Sequence, residues 1–127
     1  MRVAALLGVA MLALSPSLAF AMDSTDLTLK STEDLYQVCS VPADNELHSE
    51  ALSFCEGFLL ATASYDYAIS DREHLRRFIC APAGVTRDEG IQAFVDWAKA
   101  NLQNPKYMDA PPIEGAVRGL AAKWPCK

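Results

Sequence analysis

The spacing of apolar residues predicts helices along most of the chain after its first 30 residues. The longest helix is expected from about Glu46 to Ile69, because apolar residues recur there at steps of three and four. These residues are Leu47, Ala51, Phe54, Cys55, Phe58, Leu59 and Ala63. Asp44 or Asn45 is expected to cap its start. No alternating run is long enough to predict a strand, so the sequence predicts an all-α fold.

Three further helix starts share one capping pattern, a serine or threonine followed three residues later by an acidic residue. The pattern occurs at Ser31–Asp34, Ser70–Glu73 and Thr86–Glu89, and predicts helices over residues 31–39, 70–77 and 86–102. A last helix is expected from a cap at Asp109 to about Trp124, since the prolines after Asp109 are tolerated in a first turn. The sequence therefore predicts a small bundle of about five helices.

The last two predicted helices each carry an apolar stripe that we expect to face the core. One stripe consists of Ile91, Phe94, Val95, Ala98 and Leu102, and the other of Ile113, Val117, Leu120, Ala121 and Trp124. We expect Phe58, Phe94, Val117 and Trp124 to be buried, because they lie on the apolar stripes of different helices.

The first 21 residues have the three-part organisation of a secretory signal peptide. Arg2 supplies the positive charge, residues 3–14 form an apolar run, and residues 19–21 (Ala-Phe-Ala) supply small residues two positions apart. The run is shorter than the roughly 20 apolar residues that a membrane-spanning helix needs. The sequence thus predicts cleavage after Ala21 and one periplasmic domain over residues 22–127.

The charge balance limits the classes of partner. The 127 residues include 16 acidic and 11 basic side chains, for a net charge of −5. Loss of Arg2 with the signal peptide would make the charge one unit more negative. This excess of acidic groups argues against binding nucleic acid or an anionic membrane surface. It suits a basic partner, and it also suits plain solubility.

Four cysteines follow the predicted signal peptide, 16, 25 and 46 residues apart in chain order. An even number in a small exported domain predicts two disulfides, whereas a zinc site would require closely spaced pairs. Three pairings are possible. The helices over 86–102 and 109–124 are joined by a short loop and should lie antiparallel, which brings Cys80 beside Cys126. This pairing leaves Cys39 with Cys55.

We find no convincing catalytic, metal-binding or cofactor-binding pattern. The two histidines, His48 and His74, are 26 residues apart, too far to form a helical ligand pair. The cysteines are better explained as disulfides than as nucleophiles, and no glycine-rich phosphate loop occurs. The sequence therefore predicts a protein that is not an enzyme and carries no cofactor.

The end of the longest helix offers one candidate for partner binding. The region around this end, with Tyr65, Asp66, Tyr67 and Asp71, is expected to project from the bundle. Tyrosine is enriched in recognition surfaces, and carboxylates can contact basic groups. The alternative interpretation is a tyrosine-lined turn that covers the core.

Several short motifs resemble the Rap/Tai immunity proteins of type VI secretion. After Cys39 come Phe54–Phe58 (FCEGF), then Phe78–Thr86 (FICAPAGVT), and finally Ala121–Cys126 (AAKWPC). Members typically carry a cysteine followed three residues later by an aromatic, a cysteine-x-proline before a Gly-Val-Thr helix start, and an aromatic-Pro-Cys ending. Phe58 stands where tyrosine is common in the family, and Ala61 where glycine is usual.

The resemblance implies a helical, disulfide-bonded protein that is often a homodimer. Its implied partner is a secreted cell-wall amidase effector, which it would inhibit in the periplasm by blocking the active-site cleft. We weigh this function against two others, a periplasmic acid-stress chaperone and a helical interaction protein of another kind. A chaperone of that type exposes apolar surface when carboxylates become protonated, and two disulfides would oppose such opening.

Overall fold

A computed structural model describes residues 28–127, which form five helices. These are α1 (Thr32–Cys39), α2 (His48–Glu73), α3 (Arg87–Ala100), α4 (Pro105–Met108) and α5 (Pro112–Lys123). Within this range the one strand-like pairing is an isolated antiparallel bridge between Ile79 and Pro125. The predicted all-α bundle is therefore confirmed for the described part of the chain. The predicted signal peptide, residues 1–21, lies outside it.

The starts of α1 and α3 are stabilised by the two capping boxes that the sequence predicts there. Ser31 Oγ accepts a hydrogen bond from the backbone N–H of Asp34 (3.1 Å), and the Asp34 carboxylate accepts from the N–H of Ser31 (2.9 Å). Thr86 and Glu89 make the same reciprocal contacts. Partial burial opposes the charge on Asp34, but its hydrogen bonds to Lys30 and Ser31 lower its pKa overall. Hydrogen bonds from Thr86 lower the pKa of Glu89.

We expect these two caps to make the fold sensitive to acid. A carboxylate whose pKa is lower in the folded than in the unfolded state stabilises the fold above the unfolded pKa, and that contribution is lost as pH falls through the folded pKa. Asp34→Asn should therefore lower the melting temperature at pH 7 by a few degrees, and the difference should shrink as the pH falls below the ordinary aspartate pKa of about 4. Melting curves from pH 7 to pH 2.5 would measure this, with Glu33→Gln as the control. A difference that is constant with pH would contradict it.

Helix α2 corrects the predicted boundary at residues 70–77. The Ser70–Glu73 pattern does not begin a new helix, because α2 continues without interruption to Glu73. Ser70 lies on the buried face of α2, and its carbonyl accepts hydrogen bonds from the N–H groups of His74 and Leu75. His74 ends the helix in the left-handed conformation, with φ 54°. The serine and glutamate of this pattern therefore lie in the last turns of α2, and the predicted helix start at Ser70 is wrong.

Two other predicted helix starts are shifted. The carboxamide oxygen of Asn45 accepts from the N–H of Leu47 (2.8 Å), but α2 begins only at His48. Asp109 does not cap the last helix, because it follows the short helix α4, whose start is capped by the Asn104 side chain. Helix α5 begins at Pro112, directly after Pro111. This arrangement agrees with the tolerance of proline at a helix start.

The core lies where α1, α2, α3 and α5 meet. Its centre is Phe94, whose side chain is 0% exposed. Around it pack the buried side chains of Leu35, Val38, Cys39, Ala51, Cys55, Leu59, Ile79, Ala98, Met108, Ala116 and Leu120. The predicted burial of Phe94 is confirmed.

The predicted burial of Phe58, Val117 and Trp124 is wrong, since all three are only partly buried. The reason for Val117 and Trp124 is that α5 approaches the core through three small residues beside the predicted stripe, Gly115, Ala116 and Gly119, and through Leu120 of the stripe itself. A Cβ atom at Gly119 would lie 2.9 Å from Cδ2 of Phe94, which is closer than real contacts allow. The glycines of α5 therefore permit the close packing that rotates its larger apolar residues toward the rim.

Both predicted disulfides are present. Cys39 is bonded to Cys55, with the Cα atoms 5.2 Å apart, and Cys80 is bonded to Cys126, with the Cα atoms 5.0 Å apart. The first joins α1 to the buried face of α2. The second joins the loop before α3 to the segment after α5, beside the bridge between Ile79 and Pro125. Within residues 28–127 no helix is both long and apolar enough to cross a lipid bilayer.

Candidate functional site

The residues proposed for partner binding at the end of α2 point in three directions. Asp66 faces inward: its carboxylate accepts hydrogen bonds from the backbone N–H groups of Phe78 (3.2 Å) and Ile79 (3.1 Å). Only 9% of Asp66 is exposed. The structure therefore gives Asp66 the role of anchoring the loop that follows α2.

Tyr65 and Tyr67 are both exposed, at 67% and 55%, but they lie on different sides of α2. Two residues along a helix correspond to a separation of about 160° around its axis. Tyr67 shares its face with Asp71, one turn further on, which is also exposed. The guanidinium of Arg77 lies over the ring of Tyr67, 4.8 Å from its centroid. A partner that contacts Tyr67 and Asp71 together would thus not contact Tyr65 through the same patch.

The segment between α2 and α3 is held at several points. Besides the two hydrogen bonds to Asp66, the side chain of Arg77 donates to the carbonyl of Ile79 (2.9 Å). The N–H of Cys80 donates to the carbonyl of Trp124 (2.9 Å), next to the disulfide to Cys126. These contacts fix a segment without regular structure against both α2 and the end of α5. A fixed segment of this kind can hold a binding surface in one conformation before a partner arrives.

We expect Asp66 and Asp71 to respond differently to the same substitution. Asp66→Asn removes the negative charge and leaves a single acceptor oxygen for the backbone N–H groups of Phe78 and Ile79. This should lower the free energy of unfolding by about 1–3 kcal/mol. Asp71→Asn alters an exposed side chain and should change it by less than about 0.5 kcal/mol. Urea unfolding of both variants would measure the difference, and equal effects would contradict the anchoring role of Asp66.

A groove runs beside the face of α2 that carries Tyr67. One wall is formed by Leu59, Leu60 and Ala63 of α2, and the other by the loop from Ala81 to Thr86 and the start of α3. Its floor contains Ile79, Leu120 and Trp124, and its volume is about 240 Å³. The lining is predominantly apolar.

An ion pair lies at one end of the groove. The guanidinium Nη1 of Arg87, the first residue of α3, contacts the carboxylate Oε1 of Glu56 on α2. Arg87 has 69% of its side chain exposed and Glu56 has 30%. Helix α2 and the start of α3 thus place a charged pair at one end of an apolar groove.

The groove could not be predicted from the sequence, because the residues of its two walls are about 20 positions apart and no periodic pattern connects them. The run of small, loop-forming residues in Ala81–Gly84 was the one sign of a gap in the surface at this place. The two histidines are not part of it. Nδ1 of His48 lies 2.9 Å from the carbonyl oxygen of Val41, and His74 ends α2. Among residues 28–127 no group of three or more potential metal ligands is found.

The helices, the two disulfides and the tethered loop define a small, covalently stabilised helical bundle. In comparison with protein families, the model of the Rap1a immunity proteins matches residues 31–126. The match includes all five helices and all four cysteines, and the chain belongs to this family. The resemblance drawn from the three sequence motifs is therefore confirmed. Searches of curated proteins and of solved structures found no match.

Membership in this family indicates the general class of function. Immunity proteins act against a secreted effector, and they are generally not enzymes. Together with the two disulfides, which persist in oxidising compartments, the family indicates an extracytoplasmic protein.

Proposed function

We propose that this protein is a periplasmic immunity protein that binds and inhibits a peptidoglycan amidase delivered by type VI secretion. The observation that carries the proposal is the match of residues 31–126 to the Rap1a immunity proteins. The predicted signal peptide and cleavage after Ala21 belong to the same proposal, since the target of an amidase lies in the periplasm.

The construction of the fold supports a role in tight binding. Two disulfides and a core centred on Phe94 keep the bundle in one conformation, which lowers the conformational entropy lost on association. The net charge of −5 would also accelerate the encounter with a basic effector. A homodimer, as in many relatives, remains a prediction.

The test requires a purified amidase effector from the same secretion system as the protein. We expect the mature chain, residues 22–127, to abolish hydrolysis of peptidoglycan fragments at a molar ratio close to one protein per enzyme. Production of the amidase in a bacterial periplasm should be lethal, and coproduction of this protein should restore growth. An amidase that retains full activity in a large excess of the protein would contradict the proposal.

The predicted partner surface has its own test. Tyr67→Ala combined with Asp71→Ala should weaken binding to the effector by more than about tenfold, which is the loss of one modest hot spot. The melting temperature should barely change, because both side chains are exposed. Titration calorimetry would measure the affinity, with Tyr65→Ala as a control on the other side of α2. Unchanged affinity, or a parallel loss of affinity and stability, would exclude this surface.

The chaperone alternative is distinguished by a different measurement. A chaperone should suppress aggregation of unrelated proteins at low pH, whereas an amidase inhibitor should have no effect on them. Both disulfides oppose the opening that such a chaperone requires. Light scattering of an acid-sensitive client protein at pH 3, with and without this protein, would decide between the two functions.

A further inference from the structure

We propose that the groove between α2 and the loop preceding α3 receives an extended segment of the partner polypeptide, with an apolar side chain in the groove and a carboxylate on Arg87. This inference rests on the proposed function and names the surface that would carry it. Its basis is the combination of an apolar groove with unequal exposure of the two charges at its end.

The size of the groove selects the occupant. Pockets for cofactors and drug-sized ligands usually have volumes of about 300–1,000 Å³. The volume here is about 240 Å³. The groove is therefore suited to one branched aliphatic or aromatic side chain that enters from an adjoining backbone. Leu59, Ile79 and Trp124 offer that side chain an apolar contact surface.

The charged side chains at the end of the groove indicate which group of the partner should lie beside the inserted side chain. Glu56 is already paired and is 30% exposed, whereas Arg87 is 69% exposed. Only Nη1 of Arg87 contacts Glu56, and a guanidinium has five N–H donors in all. Positive charge with donors to spare therefore faces solvent at the groove, and its complement is a carboxylate of the partner.

The length of the surface indicates an extended segment. The residues of α2 that line the groove run from Glu56 to Ala63. Over this stretch the helix rises by about 10 Å, which is the length of about three residues of extended chain. Glu56 and Arg87 define the charged end of this surface, and Ala63 lies at its other end on α2.

A small probe tests the chemistry of the groove directly. N-acetyl-leucine carries both the branched side chain and the carboxylate, and its binding can be followed by the amide NMR signals of the isotopically labelled mature protein. We expect saturable shifts at Ala63, Val85 and Gly90. N-acetyl-leucinamide, which lacks the carboxylate, should bind several-fold more weakly, and Arg87→Gln should abolish this preference. Shifts concentrated elsewhere, or equal binding of the two probes, would overturn the proposal.

Matched variants of α2 test whether the effector uses the groove. Ala63→Met fills it, whereas Ala61→Met places the same side chain at an exposed position on the other side of the helix. We expect Ala63→Met to weaken amidase binding by at least about tenfold and Ala61→Met to change it by less than twofold. Equal affinity of both variants would overturn the groove proposal and leave the proposed function standing. An amidase that the unmodified protein does not inhibit would instead overturn the proposed function.

Discussion

Replacement of Phe94 by alanine should lower the free energy of unfolding by about 3–5 kcal/mol. Phe94 is the largest fully buried side chain in the described chain, at 0% exposure. Its ring lies against Gly119 of α5, and it also neighbours Trp97 on α3, with the ring centroids 6.4 Å apart. Removal of the ring would leave a cavity between two closely approaching helices. Because these helices are already in near-backbone contact, they have little room to collapse into it.

Phe78→Ala provides the control for this experiment. It removes the same side chain from a position that is 60% exposed, and should cost less than about 1 kcal/mol. Unfolding of both variants in urea would compare them under one condition. A loss below about 1 kcal/mol for Phe94→Ala would contradict its assignment as the centre of the core.

Loss of the disulfide between Cys80 and Cys126 should lower the free energy of unfolding by about 2–5 kcal/mol. The crosslink closes a loop of 46 residues, which contains α3, α4 and α5. In the chain-entropy account a loop of this size is worth about 4 kcal/mol. Cys80 is exposed and Cys126 is partly exposed, so replacement by alanine removes the crosslink with little loss of packing.

The test compares Cys80→Ala, Cys126→Ala and the double variant by chemical unfolding. All three should be destabilised to a similar extent, because either substitution alone removes the bond. A free-thiol assay should find one reactive thiol in each single variant and none in the double variant or the unmodified protein. Full stability of the double variant would show that the bridge between Ile79 and Pro125 holds the loop without the covalent bond.

The parts of the fold that the sequence predicts well are those with a local physical cause. The caps at Ser31 and Thr86 depend on residues three positions apart, and both occur as predicted. The disulfide pairing followed from the antiparallel arrangement of two helices and is also correct. Local hydrogen-bonding patterns can therefore often be read from one sequence, although the same pattern at Ser70 does not begin a helix and the predicted short loop contains α4.

The end of α2 could not be predicted, because its buried face becomes polar. Beyond Leu59 that face continues through Thr62, Asp66 and Ser70, all buried. An apolar pattern gives no indication of such a face. The partners of Asp66 are backbone N–H groups 12 and 13 residues away, and these exist only once the loop has folded back. For the same reason Asp66 was predicted on the partner surface rather than beneath the loop.

The pattern also misplaced the buried face of α5. Gly115 and Gly119 carry no apolar side chain and add nothing to a hydrophobic stripe, yet they lie where α5 comes nearest to Thr32 and Phe94. Close approach of two backbones requires the smallest side chains, whereas a hydropathy pattern predicts burial for the larger apolar ones. The larger residues of α5, including Val117, are consequently displaced toward the surface.

The order of the disulfides along the chain simplifies oxidative folding. The two bonds follow one another along the chain without overlapping, Cys39 with Cys55 and then Cys80 with Cys126. If the thiols become available to an oxidant in order from the N-terminus, Cys39 and Cys55 can pair before Cys80 competes for either of them. The remaining two thiols then have only each other as partners. Closure in chain order therefore gives the native pairing without rearrangement of the crosslinks.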